Sequence, residues 1–141
     1  MRHRECPRHG PLPCTCAMGN LYRFVEPVVL FLLQRHGPSH GYELAAALGQ
    51  HALTDAIVER AALYRTLKQL EVQQLVSSRW DTSGGGPARH VYAIMPLGER
   101  HLAEWDIVLT RLAEAMRSFV EEVRTMDNRK RSKGAADDDS V

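Results

Sequence analysis

The stretch that decides the fold is residues 59–94, which read ERAALYRTLKQLEVQQLVSSRWDTSGGGPARHVYAI. From Leu63 onward, leucines recur at i, i+4 and i+7, the spacing of one buried helical stripe. Two β-prone runs follow, residues 75–80 and 88–94, on either side of three consecutive glycines. Because such a glycine run cannot continue a strand, it predicts a hairpin with a flexible tip. A helix followed at once by this hairpin predicts a mainly α fold, the winged helix-turn-helix.

The face of this helix opposite the leucines carries cations and a tyrosine, and further basic side chains flank the hairpin tip. Arg and Lys bind phosphates or guanine edges in the major groove, and Tyr can donate to a phosphate. A wing of this kind reaches phosphates or the minor groove. The candidate DNA-binding residues are therefore Arg60, Tyr64, Arg65, Lys68, Arg79, Arg89 and His90. A merely solvated helix face is the alternative interpretation of the helical part.

Two helices are predicted before this stretch. The first begins close to Pro27, which suits a first turn, and ends at His36 before Gly37 and Pro38. The second is a short alanine-rich helix, residues 42–48, with Gly49 as its C-cap.

The last predicted helix, residues 97–126, carries an apolar stripe whose members are spaced alternately four and three residues apart. This heptad stripe consists of Trp105, Leu109, Leu112, Met116, Phe119, Val123 and Met126. Its spacing is the seam of a coiled coil over three heptads, and it predicts a dimer joined through this helix. Packing of the stripe inside one domain is the alternative. The charged tail from Asp127 is expected to be disordered.

The predicted organisation has four parts. Residues 1–20 form a segment rich in Cys, His, Pro and Gly, and residues 21–95 form the DNA-binding domain. Residues 96–126 form the dimerisation helix, and residues 127–141 the tail.

All three cysteines of the chain lie in the first segment, and His9 lies among them. Cys6, Cys14 and Cys16, with His9, supply the thiolates and imidazole that bind zinc, and thiolates also bind iron–sulfur clusters. Reversible thiol oxidation is a third interpretation, and a leader with incidental cysteines is a fourth. The spacing does not decide among them.

The bulk composition is that of a globular protein: 44% of the 141 residues are hydrophobic, 25% are charged, and the net charge is +1. The longest apolar run is too short to cross a bilayer, and the N-terminus has no apolar signal core. A cytoplasmic location without membrane contact is therefore expected. The glycine run matches no phosphate-binding loop.

Several motifs, in order, resemble the PadR family of bacterial regulators. They are Gly37 to Leu44 (GPSHGYEL), Leu63 to Glu71 (LYRTLKQLE), Gln74 to Val76 (QLV), Pro87 to Tyr92 (PARHVY) and Leu97-Gly98. The resemblance implies a winged-helix dimer that represses transcription until an effector releases it, with Tyr64 and Lys68 contacting the DNA backbone. It also implies flat aromatic effectors, for which Trp105 is the candidate contact. The chain departs from the family at Ala61 and Gln74 and in its cysteine segment.

The leading hypothesis is thus a homodimeric repressor that binds double-stranded DNA and responds to a ligand, a metal or a redox signal. The alternative is a small-molecule or metal sensor whose helix-turn-helix contacts protein. An enzyme is not expected, because the sequence shows neither a Ser/His/Asp set nor an HExxH motif.

Overall fold

A computed structural model describes residues 24–53 and 58–138. The elements in chain order are α1 (Val25–His36), β1 (Ser39–His40), α2 (Gly41–Gln50), α3 (Arg60–Val72), β2 (Val76–Asp81), β3 (Arg89–Ile94) and α4 (Pro96–Asp138). The predicted mainly α fold with a hairpin wing and a long last helix is confirmed.

Helix α1 forms where the sequence predicts it. Pro27 lies in its first turn, where a missing backbone N–H leaves no hydrogen bond unmade. The helix ends at Gly37, whose N–H donates to the carbonyl oxygen of Leu33 at 2.9 Å. Nearly every apolar residue of α1 is buried, so this helix lies at the centre of the hydrophobic core.

The core is built from the apolar sides of α1, α2 and α3 and from the sheet. Its fully buried side chains are Val29, Leu30, Leu32, Leu33, Leu44, Leu63, Leu67, Leu70 and Val76. The leucine stripe of α3 is part of this core, as predicted.

The sheet has three antiparallel strands in the order β1-β3-β2. Strands β2 and β3 are the predicted hairpin, in a register that pairs Val76 with Ile94 and Asp81 with Arg89. Strand β1, which was not predicted, adds a third strand by pairing Ser39 with Tyr92. Two residues are too few to show the alternation by which a strand is recognised.

The predicted C-cap of α2 is wrong. Gly49 lies inside the helix, which ends at Gln50, and His51 is the C-cap. The His51 N–H donates to the Leu48 carbonyl oxygen at 3.3 Å, and its ring Nδ1 lies 3.1 Å from the carbonyl oxygen of Ala47. His51 thus supplies the closing hydrogen bonds that were expected from a glycine turn.

Helix α4 is longer than predicted. The expected disordered tail is wrong for residues 127–138, which continue the helix to Asp138. Asp127 and Arg131 lie there at i and i+4, and pairs of opposite charge at this spacing stabilise an exposed helix. In the described part of the chain, no helix is both long and apolar enough to span a membrane.

The chain divides into two compact units after Ala103, so the first turns of α4 belong with the preceding domain. His101 of α4 lies 2.7 Å from the Glu26 carboxylate of α1. Gly98 packs against the Leu75 carbonyl oxygen so closely that a Cβ there would overlap it. That carbonyl also accepts a hydrogen bond from the Met95 N–H at 2.9 Å. These contacts fix the first turns of α4 on the domain.

Candidate nucleic-acid interface

Helix α3 has two sharply different sides. Leu63, Leu67 and Leu70 are at most 1% exposed, so this side is fully packed. Every residue predicted to bind DNA from this helix is exposed: Arg60, Tyr64, Arg65 and Lys68. Three cations are therefore presented on a helix whose orientation is fixed by the core, which is what groove binding requires.

Arg60, at the start of α3, is held by an aromatic side chain from α2. Its guanidinium carbon lies 4.7 Å from the centroid of the Tyr42 ring, within the range of a cation–π contact. Tyr42 is itself 64% exposed. It was not among the predicted site residues. The pair restricts Arg60 to one region of the surface.

Tyr64 has a structural role beside any contact it makes with DNA. Its hydroxyl and ring lie against Gly41, the first residue of α2, where any Cβ would collide with the tyrosine. Tyr64 is still 41% exposed. The side chain therefore joins α3 to α2 and leaves part of its ring on the surface.

A hydrogen bond ties the wing to α3. The Ser78 hydroxyl of β2 donates to the Glu71 carboxylate at 2.5 Å. Nearby, Tyr92 of β3 is buried, and burial is the main reason that its pKa is raised; the negative charges that Tyr64 and Glu71 carry when ionised add to it. The hairpin thus has a fixed base next to α3.

Arg79 and Arg89 are exposed on one face of the wing, with Asp81 on the same face. The Asp81 carboxylate accepts hydrogen bonds from the Ser83 hydroxyl at 2.6 Å and from its N–H at 3.0 Å. These bonds, and then the charges of Arg79 and Arg89, lower the pKa of Asp81. Asp81 closes the turn at the tip, while the two arginines remain available to an anion.

His40, the N-cap of α2, connects that helix to the wing. Its Nδ1 accepts from the Glu43 N–H at 3.4 Å, so Nε2 carries the proton and donates to the Glu43 carboxylate at 2.6 Å. The Arg89 guanidinium lies 3.3 Å from the same Nε2. Arg89 of the wing thus lies close to the N-terminus of α2.

His90 is less available than the sequence suggested. Its ring stacks on Trp80 at 4.6 Å with an interplanar angle of 10°, and its centroid lies 4.6 Å from that of Tyr92. Its Nδ1 is 3.1 Å from the Tyr92 hydroxyl. Only Nε2 is left for a phosphate, so the histidine mainly supports the two aromatic rings. Trp80 was not among the predicted site residues.

The other predicted sites lie outside the domain that carries this surface or outside the described residues. Trp105 is half-buried in the second unit, which begins at Glu104. Cys6, Cys14, Cys16 and His9 lie outside the described residues. Across residues 24–53 and 58–138, no group of three or more His, Cys, Asp and Glu side chains could hold a metal ion.

The chain matches the sequence profile of the transcriptional regulator PadR-like family over residues 29–104, from α1 to the start of α4. No curated protein sequence matches it.

Solved structures of PadR regulators have the same fold. A PadR family transcriptional regulator from Eggerthella lenta is 31% identical, with a TM-score of 0.57, 72% of this chain covered and 86% of the other. A PadR-like transcription factor from Bacteroides fragilis is 26% identical, with a TM-score of 0.58 and coverage of 70% and 91%. A PadR-like transcriptional regulator from Bacillus cereus is 23% identical, with a TM-score of 0.60, 71% of this chain covered and 94% of the other. With the family profile matched over more than half of its length, the chain belongs to the PadR-like family of DNA-binding transcriptional regulators, and it is not an enzyme.

Proposed function

We propose that this regulator is a homodimeric repressor that reads double-stranded DNA with α3 and the wing. The observation that carries the proposal is the division of α3 into a fully buried leucine side and an exposed basic side. The recognition surface consists of Arg60, Tyr64, Arg65, Lys68, Arg79, Arg89 and His90.

The members of the recognition surface have different tasks in this proposal. Lys68 is a flexible point charge and contacts a phosphate, whereas the planar Arg65 guanidinium can bind a guanine edge with two hydrogen bonds. Arg79 and Arg89 contact phosphates beside the minor groove. Tyr64, already fixed against Gly41, donates its hydroxyl to the backbone.

The basic character of α3 also favours DNA over the alternative of protein docking. A helix that docks on protein more often exposes apolar side chains, because the core of such an interface is depleted in charged residues. The exposed side of α3 instead presents Arg60, Arg65 and Lys68. A sensor that uses this helix for protein contacts is therefore the weaker hypothesis.

The dimer is proposed from α4. The four C-terminal members of the heptad stripe, Met116, Phe119, Val123 and Met126, are 37–63% exposed in the single chain. An apolar stripe of coiled-coil spacing along a charged helix is stabilised when a second copy covers it. Two DNA-binding domains joined in this way bind two half-sites far more tightly than either binds alone.

The effector site is proposed at Trp105, where a flat aromatic compound would stack on the indole. Saturable quenching of Trp105 fluorescence by phenolic or polycyclic compounds is expected in Trp80→Phe, which leaves Trp105 as the only tryptophan. The absence of saturable quenching across the panel would leave Trp105 with a packing role alone. Repression itself is tested by transcription in vitro from a promoter that carries the bound site.

Metal or redox sensing is proposed for Cys6, Cys14 and Cys16, with His9 as a further ligand. Thiolates and imidazoles suit zinc or an iron–sulfur cluster, and the same thiols can be oxidised reversibly. Protein purified without oxygen should contain stoichiometric metal, or should lose or gain DNA affinity on oxidation. A Cys6/Cys14/Cys16→Ser variant that binds DNA like the wild type under every condition would contradict the proposal.

DNA binding is tested by selecting duplexes from a random library and measuring affinity at several salt concentrations. Lys68→Ala should weaken binding to all duplexes and lower the slope of log K against log salt by about one unit. Arg65→Ala should cost about 1–3 kcal/mol and relax preference at one base pair. Arg35→Ala removes the same charge from α1 and is the control. Unchanged affinity in both α3 variants would exclude this face.

A further inference from the structure

The wing ends in an aromatic ladder that runs from the core to the surface. Its members are Trp80, His90 and Tyr92, which lie on one face of the hairpin because Trp80 pairs with His90 across the strands and Tyr92 follows two residues later. Tyr92 is buried, His90 is half-buried, and Trp80 is 66% exposed. The ladder therefore carries the largest side chain of the wing out of the core and into solvent.

The exposed indole is held in place. His90 stacks on it almost in parallel, at 10° and 4.6 Å, and His90 is fixed in turn by the Tyr92 hydroxyl, 3.1 Å from Nδ1. A large apolar side chain that is already ordered loses little conformational entropy on binding. Such a side chain is therefore well suited to contact a binding partner.

The position of the ladder indicates which partner it meets. It shares its sheet face with Ser78, whose hydroxyl bonds to Glu71 of α3, so it lies on the side of the hairpin that faces the recognition helix. The neighbouring residues Arg79 and Arg89 lie on the other face of the hairpin and place positive charge on both strands at the level of Trp80. An apolar side chain next to cations complements a DNA groove, which has apolar deoxyribose walls edged by phosphates.

We propose that Trp80 is a DNA contact of the wing, whose indole packs against the deoxyribose and base edges of the minor groove beside the α3 site. His90 and Tyr92 act as positioning residues that hold the indole in this orientation. The inference rests on the proposed DNA-binding function and adds to it an apolar contact, distinct from the ionic contacts of the recognition surface.

Salt dependence separates the two kinds of contact. Trp80→Ala should lower affinity for a selected duplex about tenfold, because the indole no longer buries apolar surface against the DNA. The slope of log K against log salt should stay unchanged, since no phosphate contact is lost. Arg79→Ala, the neighbouring control, should lower that slope by about one unit. Trp80→Phe retains a ring and should recover most of the affinity. In a Trp105→Phe background, where Trp80 is the only indole, His90→Ala should lose affinity and lower the time-resolved anisotropy of Trp80.

Fluorescence reports the contact directly. Trp105→Phe leaves Trp80 as the only indole, and its emission should shift or be quenched saturably by the selected duplex. If the wild-type protein binds DNA and Trp80→Ala binds it equally well, the inference is overturned and the proposed function stays intact. A reduced salt slope in Trp80→Ala would overturn it as well, because the loss would then act through the arginines. An indole that responds to aromatic compounds and not to DNA would assign the ladder to an effector. Wild-type protein that binds no duplex would refute both proposals.

Discussion

The leucine stripe of α3 and the heptad stripe of α4 follow the same spacing of four and three residues, yet their surroundings are opposite. In α3, Leu67 is fully buried beneath α1 and the sheet. In α4, Phe119 is 63% exposed in the single chain. Helix α3 buries its apolar stripe within the chain and exposes charged side chains. Helix α4 leaves part of its apolar stripe exposed.

The difference shows that the spacing of apolar residues identifies a stripe on a helix but does not identify the surface that covers the stripe. A helix next to other amphipathic elements buries its stripe inside the domain, which leaves the opposite side free for DNA. In the second unit the described residues form one helix, so no other described element of that unit covers its stripe, and we propose that a second copy does.

The largest expected effect comes from breaking the buried stripe. Leu67→Ala should lower the free energy of unfolding by about 2–5 kcal/mol, because it removes packed methyl groups and leaves a cavity. Urea unfolding measures this loss, which should be similar at all protein concentrations. Val123→Ala in the heptad stripe is the matched variant, and its loss should depend on protein concentration. A Leu67→Ala loss below about 1 kcal/mol would contradict the assigned core.

The second effect concerns the exposed stripe. Leu112→Glu and Phe119→Glu should each dissociate the dimer, because a carboxylate would be desolvated at the contact. Ser118→Glu places the same charge beside Phe119 but off the stripe, and it should leave the dimer intact. Sedimentation velocity distinguishes the two species. If both stripe variants still sediment as dimers, the heptad stripe is not the dimer interface.

A smaller effect is expected on the basic side of α3. Tyr42→Ala removes the ring beneath Arg60 and should cost about 0.5–1 kcal/mol of DNA affinity, roughly a two- to fivefold change. Tyr42→Phe keeps the ring and should bind like the wild type. If the phenylalanine variant loses as much affinity as the alanine variant, the hydroxyl group is the important part of Tyr42.

The smallest effect is on the pH dependence of stability. The Ser83 hydrogen bonds lower the pKa of Asp81 in the folded protein, so the folded state binds this proton less tightly than the unfolded state does. The stabilisation is present at neutral pH and is lost as the pH falls through the lowered pKa, below about pH 4. Asp81→Asn should flatten the acid side of the stability profile, measured by chemical unfolding. An unchanged acid side would show that the turn does not depend on the charge.

Much of this architecture follows from the sequence because its signals are local. Helix α3 and the hairpin follow from leucine spacing, β-prone runs and the glycine tip, all of which act over a few residues. The exposure of Lys68 and Arg65 follows from the same spacing. Where a single residue had to be chosen, as for the C-cap of α2, the presence of Gly49 was misleading because His51 closes the helix instead.

Features that depend on pairing between distant residues could not be predicted in this way. Strand β1 exists only because Ser39 lies next to Tyr92, and the ladder requires the register that sets Trp80 opposite His90. The Tyr42–Arg60 contact needs the packing of α2 on α3. The prediction of a disordered tail is wrong for residues 127–138 because oppositely charged pairs at i, i+4, such as Asp127 and Arg131, support the continuation of α4 within a block of like charge.

The most direct test of the assigned roles of α3 and α4 is a hydroxyl-radical footprint on a selected duplex. Wild-type protein should protect two regions one helical turn apart, about 34–36 Å, or a multiple of that distance. Phe119→Glu should lose the paired protection at the same concentration, and a combined Arg60/Arg65/Lys68→Ala variant should protect neither region while remaining dimeric. A single protected region with the wild type, or an unchanged footprint with the triple variant, would contradict the assignment of DNA reading to α3 and pairing to α4.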